Sequence, residues 1–208
     1  HDMAEHIYTH ENPPNQRHLD QICKVLDSNG VVVMPAGVSW MFCCDAGSKK
    51  GVQRMVSLKP DRDEKKPLSL VCSSISMATE MAEVDGFAFK ILNRIVPGHF
   101  TILLPSSRML PKILKNKRAV VGLRVPDEPI LLAVVEQFGR PLVATSIPKS
   151  NDGQSFTMGY EIAETFGHGL DLVVDLGEEI EGLATTIIDL TQGEVDVIRE
   201  GAGDLSRL

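Results

Sequence analysis

At 208 residues, 43% hydrophobic and 24% charged, the chain is long enough to bury a full core and has the balance of a globular protein. No apolar run approaches the roughly 20 residues of a membrane helix, and the polar start lacks the apolar stretch of a signal peptide, so a cytoplasmic protein without membrane association is expected. The net charge of −7 excludes a generally basic coat for nucleic acid but not a local basic cleft.

His1-Asp2-Met3 reads as a cloning remnant ahead of the natural start, and residues 4–15 as a polar tail. From residue 15 to 29, Leu19, Ile22, Cys23, Val25 and Leu26 recur at helical spacing, with Gly30 as the expected C-cap. Val31–Met34 and Trp40–Cys44 read as buried strands joined by Ala36-Gly37-Val38-Ser39, and Lys49–Leu58 as a helix. The stretch Lys59–Lys66 then mixes cations, acids and prolines ahead of the strand Leu68–Cys72. Helices are predicted near 75–82 and 85–95, a strand at 100–105, a helical turn at 111–114 and a strand at 119–124 that ends on Arg124. Asp127 is the expected N-cap of a helix stopped by Gly139. A strand at 141–146 ends on Thr145-Ser146, an irregular loop follows, and Thr157 is the expected cap of a helix to Phe166. Strands at 170–174, 186–190 and 195–199 close the chain. Strands interleaved with helices indicate a single α/β domain over 1–208. Connections too short for crossover helices require a twisted, mixed parallel and antiparallel sheet with flanking helices.

Ligands of open α/β sheets collect beyond strand C-termini. That rule gathers the cations of Lys59–Lys66, Arg124 and Arg199 with the hydroxyls of Thr145, Ser146, Thr185 and Thr186. Lysine offers a point charge and arginine a flat fork of donors, a combination suited to a polyphosphate with magnesium. The competing readings are local: the loop acids neutralise the loop bases, Arg124 pairs with Asp127 or Glu128, and Glu200 balances Arg199. Neither standard phosphate loop is present, and no serine has a neighbouring histidine in sequence to activate it. The cysteines at 23, 43, 44 and 72 lack metal-site spacing and sit in apolar runs, as reduced core thiols do. His6 and His10 are four apart, the spacing of metal ligands on a helix, but they lie in the polar tail, and no protein-bound structural metal is expected.

In order along the chain, Asn29–Pro35, Lys59 with Lys66–Leu70, Pro97–Thr101, Gly122–Pro126, Ala144-Thr145-Ser146, Thr185–Leu190 and Val197–Asp204 resemble the YrdC/YciO family, the two ends being closer to its YciO branch. The resemblance implies a YrdC-like fold with a basic concave face. It also implies ATP as substrate with magnesium, and L-threonylcarbamoyladenylate synthesis from an amino acid and bicarbonate for a tRNA modification. It assigns Lys59, Arg62, Ser146 and Arg199 to the nucleotide, and Lys66, Arg124 and Thr186 to the amino acid or its carbamate. The chain departs from the pattern at the amino-acid pocket and at the nucleotide residues too, where the family's K-x-R pair reads Lys59 and Arg62 three apart with Asp61 where an arginine would stand. The family's P-T-D-T reads Pro35-Ala36-Gly37-Val38, its S-x-N reads Ser146-Ile147-Pro148 with Asn151 nearby, and Val120 replaces a usual threonine. The expectation is therefore a nucleotide-binding protein with weak or altered synthase activity. Two alternatives stand beside it: a non-catalytic binder of tRNA or double-stranded RNA in the same cleft, and carbamoyl transfer in protein maturation.

Overall fold

The computed structural model describes residues 4–208; the remnant read at residues 1–3 lies outside the described residues. The strands are β1 (Glu5–Tyr8), β2 (Val32–Pro35), β3 (Trp40–Asp45), β4 (Ser69–Val71), β5 (Phe100–Pro105), β6 (Val120–Arg124), β7 (Leu142–Ser146), β8 (Leu172–Asp175), β9 (Thr186–Asp189) and β10 (Asp196–Arg199). The helices are α1 (Gln16–Asp27), α2 (Lys49–Ser57), α3 (Ile75–Ala78), α4 (Gly86–Ile95), α5 (Pro129–Phe138) and α6 (Gly159–Phe166). All the strands join one sheet in the order β1-β8-β2-β3-β7-β4-β6-β5-β9-β10. It is mixed as expected: β2–β3, β3–β7, β4–β7, β5–β6 and β9–β10 are antiparallel, while β1–β8, β2–β8, β4–β6 and β5–β9 are parallel.

Strand alternation sends the apolar side chains to two layers. On one face Val33, Phe42, Leu70, Leu123, Ile102 and Ile188 pack against α2, α4 and α6. On the other, Met34, Met41, Cys43, Leu142, Ala144 and Val174 pack against α1 and α5. Each fully buried side chain of this size contributes about 1.5–3 kcal/mol. The second face is only partly covered. Gly122, Thr101, Leu103 and Ile187, on β6, β5 and β9, belong to neither cluster. Gly122, Thr101 and Leu103 are nonetheless buried, and Ile187 is half-buried.

Local chemistry explains the helix ends, with corrections to the expected caps. Asn15, Ser48 and Asp85 each accept a backbone N–H of the first turn. Helix α1 is closed by Asn29 in the left-handed region (φ 62°) and not by Gly30, whose N–H bonds the Val25 carbonyl at 3.0 Å. The N-cap of α5 is Glu128 and not Asp127, with Pro129 next and Gly139 in the left-handed conformation at the end. Met158, and not Thr157, precedes α6; Glu161 reaches back to accept its N–H at 3.1 Å.

The polar start is not all tail. Glu5–Tyr8 adds to the sheet edge beside β8, and His6 Nε2 lies 2.9 Å from Asp175 Oδ2. His6 is thus on a strand, which removes the helical geometry that the spacing to His10 needs for a shared metal. Cys43, Cys44 and Cys72 are buried free thiols; burial pushes Cys43 and Cys72 up to about 12 and Cys44 higher still. Trp40 is a core residue, its indole donating to the Thr157 carbonyl at 3.0 Å. Among the described residues, no helix is long and apolar enough to cross a membrane.

Candidate functional site

Chain direction and register decide which candidate residues share a surface. Strands β6 and β7 both pair with β4, one parallel and one antiparallel, so Arg124 and Ser146 end at opposite edges of the sheet. The strand-end rule that grouped them is therefore corrected: they share a face, not an edge. Register shows it, since Val71 faces Arg124 and Leu142, Ser69 faces Gly122 and Ala144, and Met41 faces Ser146. Directly paired residues point to the same side. The Arg124 guanidinium reaches across this face to the sulfur of Met41, the register partner of Ser146.

At the β7 end, Lys59 Nζ donates to Thr145 Oγ1 at 2.9 Å and to Ser146 Oγ at 3.2 Å. Arg62 donates to the Lys66 carbonyl at 3.0 Å, holding the loop in a tight turn. Burial first, then the charges of Arg62 and Lys66, bring the Lys59 ammonium down to about 8. Lys66, expected with Arg124 beside the small substrate, thus sits with Lys59 and Arg62. The loop acids do not neutralise them: among the described residues Lys59, Arg62 and Lys66 are in no ion pair. Asp63 instead accepts the Lys65 backbone N–H at 3.0 Å, shaping its own turn.

A second group forms on β6, β5, β9 and β10. Thr101 faces Ile187, which faces Arg199, and one step from the Ile102–Leu123 pair sets Thr101 beside Arg124. Thr101 and Thr185 hydroxyls are 2.8 Å apart, and Arg199 donates to the Thr185 carbonyl at 3.0 Å and hydroxyl at 3.2 Å. Arg124 is 5% exposed and, like Arg199, in no ion pair among the described residues. Burial lowers its pKa, and Glu128 nearby raises it.

Thr186 is corrected. It lies on the opposite face from Thr185, fully buried; its hydroxyl donates to the Gly203 carbonyl at 2.8 Å and accepts the Gly201 N–H at 2.9 Å. It anchors the segment after β10, and Thr185, itself buried, is the threonine beside Thr101 and Arg199. A strand period of 2 misread by one residue has this effect. Gly122 is buried between its strand neighbours: a Cβ there would meet Ser69 Oγ at 3.0 Å and Thr101 Cγ2 at 3.3 Å.

Residues that sequence reasoning passed over as ligand groups complete the surroundings. Glu128 stands at the N-cap of α5 without capping it; its carboxylate lies 3.9 Å from His99 Nδ1 and against the Cα of Gly37. Burial raises its pKa, and Arg124 lowers it. The one available signal was the Asp-Glu-Pro sequence after Arg124, which marks a helix start but not where the side chain goes. The loop carrying Gly37 is tied down by Gly182 and Leu183, whose N–H groups both donate to the Val38 carbonyl, at 2.9 and 2.8 Å. Asn151 is exposed in the turn after β7.

Residues 24–201 match the Sua5/YciO/YrdC family model, described as telomere recombination. The YciO protein of Escherichia coli is 30% identical over 208 residues, 98% of each chain. Its crystal structure matches with a TM-score of 0.90 and 29% identity over 99% of both chains. A putative threonylcarbamoyl-AMP synthase of Methanocaldococcus jannaschii is 27% identical over 97% of this chain and 94% of its own. Pyrococcus abyssi Sua5 complexed with L-threonine matches with a TM-score of 0.83 and 25% identity, over 94% of this chain and 57% of that one.

Proposed function

The chain belongs to the Sua5/YciO/YrdC family, related to the threonylcarbamoyl-AMP synthases of tRNA modification, and from that premise we propose that it binds ATP as its magnesium complex and adenylates a carbamoylated small substrate other than threonine. The observation that carries the proposal is a set of cations that are in no ion pair among the described residues: Lys59, Arg62 and Lys66 at the β7 end, and Arg124 and Arg199 with Thr101 and Thr185. Holding like charges together costs free energy that a polyanion returns on binding. Lys66 and Arg199 are exposed, but Arg124 is buried and Lys59 and Arg62 are half-buried, and such cations are better explained by a phosphate ligand than by surface decoration.

In this reading Lys59, oriented by Thr145 and Ser146, takes the phosphates with Arg62 and Lys66, and together they form a basic concave face. Arg199, braced by Thr185, lies toward the nucleotide, and Arg124 takes the carboxylate of the small substrate. The carbamate oxygen forms a bond to the α-phosphorus as the bond to the β-phosphate oxygen breaks and pyrophosphate leaves. Such a step needs positioning and charge neutralisation more than a protein nucleophile, and the residues present are of that kind. Threonine itself is disfavoured, since Ala36, Gly37 and Val38 offer no side-chain hydrogen bond where the family pattern has Thr, Asp and Thr. A missing buried partner costs about 1–3 kcal/mol.

Calorimetric titration with ATP and magnesium tests the proposal. Micromolar binding is expected in the parent protein, with losses of about tenfold or more after Lys59→Ala and Arg199→Ala. Binding that is absent, or unchanged in both variants, would overturn it.

A further inference from the structure

A groove of about 350 Å³ lies on the side of the sheet covered by α2, α4 and α6. Its walls are α2, the chain running from Arg62 into β4, and the 3₁₀ turn Lys112–Leu114 with the two residues after it. The volume is at the lower end of the roughly 300–1,000 Å³ of small-molecule sites. The floor is apolar: Val52 and Val56 from α2, Pro67 and Leu68 ahead of β4, Ile113 and Leu114 from the turn. Val52 and Leu114 are buried, but Val56, Pro67, Leu68 and Ile113 are only half-buried. The core therefore leaves apolar surface uncovered inside a concave site.

The rim is charged. Arg62 stands with Glu64 on one wall and Lys115 on the other, so cations exceed acids there in a chain that is acidic as a whole. Arg62 and Lys115 are in no ion pair among the described residues. Uncharged polar groups nearby are already engaged. Ser57 Oγ donates to the Arg54 carbonyl at 2.6 Å, and the Asn116 side chain donates to the Val120 carbonyl at 2.6 Å and accepts its N–H at 3.3 Å. With the bond from Arg62 to the Lys66 carbonyl at 3.0 Å, they fix the walls without filling the groove.

The groove is separate from the site proposed for phosphate. Lys59 turns to Thr145 and Ser146, and neither Lys59 nor Lys66 lines the groove, whereas Arg62 does. Lys59 and Arg62 stand three apart, one more than in the family's K-x-R, and the two side chains meet different surfaces.

We propose that this groove is a second binding site, for a small amphipathic carboxylate: a short hydrocarbon body on the apolar floor and a single carboxylate between Arg62 and Lys115. The arginine fork and the lysine point charge both suit a carboxylate. A polyphosphate brings more negative charge than the rim can match beside Glu64, and it makes no use of the floor. An uncharged hydrocarbon leaves both cations unanswered. The inference does not rest on ATP being the ligand of the other site.

Calorimetric titration of the full chain with butyrate, hexanoate, octanoate and octylamine tests it. Affinity is expected to rise about threefold to fourfold per methylene from butyrate to octanoate, with octylamine at least about tenfold weaker than octanoate. Lys115→Glu changes an exposed position and should weaken octanoate about tenfold or more with the melting temperature unchanged. Val56→Phe, which occupies the floor, should remove the dependence on chain length. Octanoate that binds no better than octylamine, or as well in Lys115→Glu as in the parent protein, would overturn the inference. The octanoate titration is then repeated in excess ATP with magnesium. An affinity that is unchanged, or that falls by a limited factor and levels off, supports a separate site; one that falls in proportion to ATP without limit would place octanoate among the phosphate cations and overturn it. If ATP does not bind, octanoate binding that depends on Lys115 still supports the groove, and only the nucleotide reading fails.

Discussion

With its ammonium brought down to about 8 by burial and by Arg62 and Lys66, Lys59 would make the proposed phosphate binding pH-dependent through one residue. A lysine whose pKa is depressed is charged below that value and neutral above it. Its contribution to anion binding is therefore full at low pH and disappears as pH rises past about 8. We expect the affinity for ATP to fall by roughly tenfold between pH 8 and 9.5 in the parent protein, while Lys59→Gln gives a weaker and flat profile. A flat profile in the parent protein would remove Lys59 from the phosphate site. The residue types at 59, 62, 124, 146 and 199 were legible from the sequence because they stand in local blocks next to strands. Their partners were not legible, because each partner comes from a distant strand: Thr145 for Lys59, Thr185 for Arg199, Glu128 for Arg124.

At the scale of an element, β9 shows how one residue of strand register separates structure from function. Thr185 and Thr186 are adjacent hydroxyls of similar burial, and alternation sends one to Arg199 and the other to the turn at 201–203. Thr186→Val keeps the shape of the side chain but strands the Gly201 N–H and the Gly203 carbonyl. A loss of about 1–3 kcal/mol is expected, read as a lower denaturation midpoint with an unchanged slope. Thr185→Val should have the opposite balance: a small stability change, with weaker ATP binding through a misplaced Arg199. Equal stability losses in both variants would contradict the assignment of faces. The same scale explains β1. Its residues Glu5–Tyr8 carry no clear strand signal, and only a buried neighbour, β8, supplies the hydrogen bonds that make them one.

For the whole molecule, the proposed function sets a net charge of −7 beside cations that are in no ion pair among the described residues. The acidic balance elsewhere opposes non-specific contact with nucleic acid, and on the proposed function the cations are expected to select a small polyanion. A protein that covers many RNA phosphates loses affinity by orders of magnitude between about 50 and 200 mM salt. A pocket enclosing one triphosphate responds far less, and we expect a change in ATP affinity of less than about tenfold across that range. Double-stranded RNA that binds at 200 mM salt and displaces ATP would favour the nucleic-acid alternative instead.

The sequence by itself determined the α/β layering, the mixed sheet, most of the strands and helices and the stock of cations. These depend on apolar periodicity, connection length and turn residues, which are properties of neighbours in the chain. Only the tertiary structure decided that Arg124 and Ser146 share a face and not an edge, that Lys66 joins Lys59, that Thr185 replaces Thr186, and that Glu128 fills the place left by Gly37. Each of those depends on pairing and packing between elements far apart in sequence. There a shift of one residue in register exchanges the two faces of a strand, and no local pattern records the choice.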